Sequence, residues 1–142
     1  MVKISEPSLE WAPALHYAAI RMLVTRPFGK YISPAMDEVH TWLVGKKSLP
    51  SGAPFIRYLT TNNDPGLDIE VGWPLASPLL GDKRVQTGTI PAGRYAFLLF
   101  TGTYRGKGLY FANMALMEWG EANAITWKIS AINGVNWWEA RF

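Results

Sequence analysis

The chain contains no cysteine, which excludes disulfides, thiolate metal sites and a Cys nucleophile. Histidine is scarce as well. His16 and His40 lie far apart in the chain and imply no convergence, so no metal site is expected. Only 18% of the residues are charged, and the net charge of +3 is scattered. The longest Lys/Arg runs are the pairs Lys46-Lys47 and Lys83-Arg84. A chain without a basic stripe is not expected to contact nucleic acid directly. No apolar run reaches membrane length, and Met1 to Pro7 lack the apolar core of a signal peptide, which makes the cytoplasm the default compartment and argues against a membrane partner. Ser-x-x-Lys and Gly-x-Ser-x-Gly are absent. Gly102 to Gly108 has the glycines of a phosphate loop but no Ser or Thr after Lys107. No cofactor is expected.

What the chain has in quantity is aromatic side chains: seven Trp, six Tyr and six Phe in 142 residues. With 49% hydrophobic residues it can bury roughly two-thirds of its unfolded surface as one compact domain, residues 1–142. The aromatic content also suffices to line a cavity.

The stretch Ile90-Pro91-Ala92-Gly93-Arg94-Tyr95-Ala96-Phe97-Leu98-Leu99-Phe100-Thr101-Gly102-Thr103-Tyr104 reads as a turn, a strand covered on both faces, and an exit toward a helix. It has an earlier copy. Pro13-Ala14-Leu15-His16-Tyr17-Ala18-Ala19-Ile20 matches Pro91 to Leu98 at an offset of 78 residues. The helices that follow match at an offset of 77, with Ala35, Val39 and Trp42 set against Ala112, Leu116 and Trp119. Strand, exit and helix repeating in one order imply an internal duplication.

In chain order, residues 1–12 read as an extended lead-in and about 15–25 as a strand. Ser33 reads as a helix N-cap with Pro34 at the first helical position, and Gly45 closes that helix. Ala35, Met36, Val39, Trp42 and Leu43 form its inward stripe. Phe55 to Thr61 and Leu67 to Trp73 are strands, the second ended by Pro74. In the latter Leu67, Ile69, Val71 and Trp73 face one way, and Asp68, Glu70 and Gly72 the other. Leu75 to Arg84 reads as a connector and module boundary. A strand with a turn in it spans 85–101, and a helix about 109–122. A hairpin follows at Asn133-Gly134, with Val135, Trp137, Glu139 and Arg141 sharing a face of its last strand. The expectation is an α+β fold: a tandem duplication of a β-α-β-β module, module 1 about 8–75 and module 2 about 85–142. The modules would pack about a pseudo-twofold axis, with antiparallel sheet and a ligand groove at the seam.

Ile90 to Ala96 followed by Thr101-Gly102-Thr103-Tyr104 resembles the "lPaGrYa … hkGpY" signature of GyrI-like small-molecule-binding domains, the effector-binding domains of bacterial transcription activators. Arg57-Tyr58 and Leu67 to Pro74 resemble that family's "rY … ldvevGfPv" strands. The resemblance implies two tandem β-α-β-β modules and a groove for small aromatic or amphipathic organic molecules, cationic ones included. It also implies a stand-alone member, since 142 residues leave no room for a helix-turn-helix domain. Some members hydrolyse cyclopropane-containing toxins. A hydrolase on the same scaffold and an inhibitory module for a protein partner are therefore the alternatives to a multidrug-type binder. The family closes on a strand with a ligand-facing Glu; here Arg141-Phe142 stand about where that Glu would follow, so either the last strand is cut short or Glu139 serves instead.

The candidate ligand-binding residues are Glu70, Tyr104, Tyr58, Trp73, Phe28, Trp137, Glu139 and Arg57. Glu70 faces away from the apolar side of its strand, as a pocket acid or as a partner for Arg57 on the neighbouring strand. Tyr104 sits in the motif exit, with Phe28 its counterpart in the first half. In an enzyme, Glu70 and Tyr104 would handle water. The sequence does not define the oligomeric state.

Overall fold

The structure is a computed structural model. It describes residues 3–25, 27–59, 66–103 and 107–127, together with the backbone of 131–132, 135–136 and 138–141. In chain order the elements are β1 (Lys3–Ile4), β2 (Ser8–Ala12), β3 (Leu15–Val24), α1 (Gly29–Gly45), β4 (Phe55–Tyr58) and β5 (Leu67–Leu75). They continue with β6 (Gln86–Ile90), β7 (Gly93–Phe97), β8 (Phe100–Thr101), α2 (Gly108–Ala122), β9 (Ala131–Ile132), β10 (Val135–Asn136) and β11 (Trp138–Arg141). The fold is α+β with antiparallel sheets and two helices. The chain divides into two compact units: Met1–Pro13 with Ala92–Lys128, and Ala14–Pro91 with Ile129–Phe142.

The larger unit is built on a five-stranded sheet in the order β11-β4-β5-β3-β6. β3 lies inside it, so both of its faces are covered at Ala18, Ala19 and Ile20, each fully buried. That is why its sequence shows no clean alternation. β5 alternates as expected. Leu67, Ile69, Val71, Trp73 and Leu75 join Ala18, Ile20, Met22 and Val24 of β3 and Ile56 and Tyr58 of β4 on the face covered by α1. The helix contributes Ala35, Val39 and Leu43, spaced at i, i+4 and i+8 on one stripe, with Met36 and Trp42 beside them.

Two expectations about this unit need correction. α1 begins at Gly29, not at Ser33, and Pro34 lies inside it. Phe28, Ile32 and Met36 pack as one apolar row against the core, and that burial outweighs the capping signal of Ser33-Pro34. Pro74 does not end β5, which runs to Leu75. The Pro74 carbonyl accepts from the Ser51 amide, so its missing N–H also points to that side, away from β3. The connector is anchored to α1. Asp82 accepts from the Trp42 indole at 2.9 Å and from the amides of Arg84 and Val85 at 2.8 Å, while Arg84 makes a two-point pair with Glu38. Hydrogen bonds from the Val85 amide and the Trp42 indole hold the Asp82 carboxyl below its usual range, and Arg84 does the same to Glu38. Val85 is buried in the core next to α1.

In the smaller unit β2 pairs with β7 and β1 with β8, so the lead-in is two strands. The expectation of a strand covered on both faces from Tyr95 to Phe100 is overturned here. β7 ends at Phe97, and Phe97 and Leu99 are 42% and 65% exposed. Ser5 explains the break. Its hydroxyl accepts the Leu99 amide at 2.7 Å while its own amide donates to the Leu99 carbonyl, which turns the chain out of the β2 ladder. On α2, Ala112 and Gly120 are buried, the latter beneath the Trp127 ring. In the larger unit β9 and β10 pair as the hairpin at Asn133-Gly134 implies; those two residues lie outside the described ones.

The β3–β5 pairing depends on Gly72. A methyl group there would overlap the Ala18 carbonyl and come within 2.6 Å of the Ala19 Cβ. Gly72→Ala is expected to cost about 1–3 kcal/mol of stability by urea denaturation. Gly29→Ala, which meets nothing within 4 Å, should be neutral or stabilising by up to about 1 kcal/mol. Equal stability of Gly72→Ala and wild type would contradict this packing.

Candidate functional site

The sheet face turned away from α1 carries the charged side chains of β3, β4 and β5. The strand register sets them in a row. Arg21 of β3 pairs with Glu70 of β5, Glu70 with Arg57 of β4, and Arg57 with position 139 of β11. Residues paired across an antiparallel ladder share a face. The alternation basic, acidic, basic therefore runs across three strands, with position 139 next in the register.

At the centre of the row is a buried polar cluster. Glu70 is 6% exposed and Tyr17 5%. The Arg57 Nη1 donates to Glu70 Oε1 at 3.2 Å and to the Tyr17 hydroxyl oxygen at 2.8 Å. The Tyr17 hydroxyl in turn lies 3.0 and 3.2 Å from the two Glu70 oxygens and donates its proton to the carboxylate. Each member thus satisfies another, as buried polar groups must. The Arg57 guanidinium also sits over the Tyr17 ring, 5.7 Å from its centroid. Phe55, buried on the same face, meets that ring edge-on at 5.5 Å. Beside the cluster Arg21 and Asp68 form a second, two-point pair that is more exposed.

Tyr17 is held in place by what lies opposite. Its register partner is Gly88, where a Cβ would come 2.7 Å from the Tyr17 hydroxyl and 2.8 Å from Cζ. The ring lies across the bare glycine. A recess of about 90 Å³ opens there, lined by Tyr17, Pro78, Leu79, Thr87, Gly88 and Thr89. A larger hollow of about 390 Å³ lies at the start of α1, lined by Thr25, Pro27, Gly29, Lys30 and Tyr31.

Residues 5–126 match the model of the GyrI-like small molecule binding domain. The chain belongs to the GyrI-like family. No curated protein matches it. Among solved structures, the crystal structure of the EcmrR C-terminal domain superposes with a TM-score of 0.68 at 18% identity, covering 95% of this chain and 93% of that one. The cryo-EM structure of an EcmrR–DNA complex gives 0.66 at 21% identity, covering 83% of this chain and 44% of that chain. The present chain thus corresponds to less than half of that longer protein. At these identities the comparison establishes the fold.

The candidate residues fall into three groups on this GyrI-like domain. Glu70 and Arg57 are brought together on the face turned away from α1, and the backbone places position 139 in the same row. Tyr58, Phe28 and Trp73 lie on the other face, under α1. Tyr58 meets Phe28 edge-on at 6.4 Å, and the Trp73 indole donates to the Met36 carbonyl at 2.8 Å. Tyr58 and Trp73 thus lie across the sheet from Glu70. The period of two that turns Glu70 outward turns Trp73 inward, and Tyr58 follows Arg57 to the opposite side. Tyr104 and Trp137 lie outside the described residues, as does the Glu139 side chain.

Tyr17 was missed. Its signal was present in the repeated Pro-Ala-x-x-Tyr motif, where it matches Tyr95, but a Tyr within an apolar strand reads as core. Burial, followed by the charge of Glu70, pushes its hydroxyl up from 10.0 to about 12. Tyr17 is therefore a hydrogen-bond donor at neutral pH and no proton acceptor. A phenol more acidic in the unfolded chain contributes stability that is present below about pH 10 and lost as the pH rises toward about 12. Spectrophotometric titration of the folded protein should show a late phenol that is absent in Tyr17→Phe. Identical titration curves would contradict the burial and pairing of this group.

Proposed function

We propose that this domain is a binder of aromatic or amphipathic small organic molecules, and that its ligand contacts the sheet face bearing Tyr17, Arg57 and Glu70. The observation that carries the reading is the buried polar cluster itself. Taking a carboxylate and a guanidinium out of water costs several kcal/mol for each ion, and a hydrophobic trio of similar size would stabilise the sheet at least as well. A buried ion pair is therefore weak evidence for stability and better evidence for a site. The family supports the ligand-binding role. The recess beside Tyr17 would take a ring edge or a small polar substituent, being well below the roughly 300–1,000 Å³ of a whole ligand site.

Binding is favoured over the hydrolase reading by the state of the same groups. Tyr17 keeps its proton, and both Glu70 oxygens already lie against the Tyr17 hydroxyl. Buried and engaged by Arg57 and Tyr17, Glu70 is poorly placed to meet the water that hydrolysis of an electrophilic ring requires. In this reading the two β-α-β-β segments are copies of one unit. The buried Ala35 of α1 and Ala112 of α2, related by the offset of 77 residues, support that origin.

Isothermal titration with a panel of flat aromatic compounds tests the proposal, with mass spectrometry of the same mixtures and of a cyclopropane-containing electrophile. Saturable binding is expected, weakened about tenfold or more by Tyr17→Ala through loss of the recess that Tyr17 lines. No product is expected. Affinity unchanged by Tyr17→Ala would move the site elsewhere, and turnover abolished by Glu70→Gln would make the domain a hydrolase.

A further inference from the structure

We propose that the outer face of α2 is a docking surface for a second copy of this chain, with the two α2 helices packed antiparallel about a two-fold axis at Met114. The inference concerns the smaller unit and does not rest on the binding reading above.

Tyr110, Met114 and Met117 recur at i, i+4 and i+7 on α2, and Phe111 lies beside them, one turn before Met114. In that order they are 53%, 40%, 41% and 57% exposed, while Ala112 and Gly120 on the other side of the helix are buried. The Tyr110 and Phe111 rings meet edge-on at 5.7 Å. Large apolar side chains gathered on one exposed stripe mark a contact surface, where single ones would not. The helix of the larger unit has a polar face instead. At the offset of 77 residues α1 carries exposed Ser33 and Asp37 where α2 carries Tyr110 and Met114.

The charges of α2 identify the occupant. Lys107 stands at its N-cap and Glu121 in its last turn, the reverse of what the helix's own dipole favours. Both are exposed, and among the described residues neither forms an ion pair. They lie seven residues before and seven after Met114, on the same stripe as the apolar side chains. A two-fold axis at Met114 therefore brings Lys107 of each copy to Glu121 of the other, and Phe111 to Met117. Each Glu121 then also faces the positive end of the opposite helix, where a carboxylate is favoured. The stripe is complementary to itself.

Two aromatic and two Met side chains, each about half exposed, amount to on the order of 300–400 Å² per copy. The pair thus buries roughly 600–800 Å², short of the roughly 1,200 Å² of stable specific interfaces. The dimer is accordingly weak, with a Kd between micromolar and millimolar.

Sedimentation velocity of the whole chain from about 1 µM to about 1 mM tests the proposal, and a monomer–dimer equilibrium with its midpoint in that range is expected. Met114→Glu, which sets two carboxylates at the axis, should weaken the dimer about tenfold or more. Lys107→Glu and Glu121→Lys should each weaken it several-fold, since exposed ion pairs contribute little singly. Their combination restores both pairs with the signs exchanged, and should dimerise about threefold more tightly than either single variant. Circular dichroism establishes that each variant folds. Should Met114→Glu not fold, the charge exchange decides alone. A wild type still monomeric at about 1 mM would overturn the inference. So would a dimer indifferent to Met114→Glu, or a double variant no tighter than the single ones. Monomeric wild type that cosediments with phosphatidylglycerol vesicles, and is released by Met114→Glu, would also overturn it and assign the face to a lipid surface.

Discussion

A carboxylate at the position of Glu70 has to be paired, and much of the larger unit is arranged around that requirement. Its strand lies inside the sheet, with β4 on one side and β3 on the other, so water cannot supply the partners. Arg57 comes from the first neighbour and Tyr17 from the second. Reach from the second neighbour depends on glycines. Gly72 lets β3 approach β5 closely, and Gly88 leaves room for the Tyr17 ring. Removing Arg57 or Tyr17 would leave a buried acid with fewer donors, so these residues stand or fall as a group.

The two faces of this sheet divide the work. Under α1 the contacts are apolar, and the indoles and rings there are engaged in packing: Trp73 donates to Met36, Phe28 meets Tyr58, and His40 meets Trp73 edge-on. The other face holds the alternating charges. A hydrophobic effect of roughly 25 cal/mol per Å² acts on the first face and supplies the stability that permits polar burial on the second. The proposed ligand contact falls on the face where polar groups converge, since stability does not require them there.

The pattern of two in β5 was legible from the sequence, and with it the orientation of Glu70 and its pairing with Arg57. The inward stripe of α1 was legible for the same reason, a period repeated several times. What escaped depended on partners remote in the chain. Ser33-Pro34 is a good helix start, but Phe28 and Ile32 found a core to join and drew the helix back to Gly29. The apolar run from Tyr95 to Phe100 read as a buried strand, yet Ser5, ninety-four residues from Leu99, bends it out of the ladder. Tyr17 looked like core because nothing local shows that a buried phenol has an acid and a guanidinium beside it. Tyr58 and Trp73 were grouped with Glu70 by their chemistry, although the pleat sends them the other way.

The central claim is that the ligand meets the charged face of the sheet and not the face under α1. Heteronuclear NMR of the labelled domain titrated with acridine tests this most directly. The account predicts that the largest shift changes fall on Tyr17, Arg57, Glu70 and Gly88. Changes confined to Phe28, Tyr58 and Trp73, or to the smaller unit alone, would contradict it.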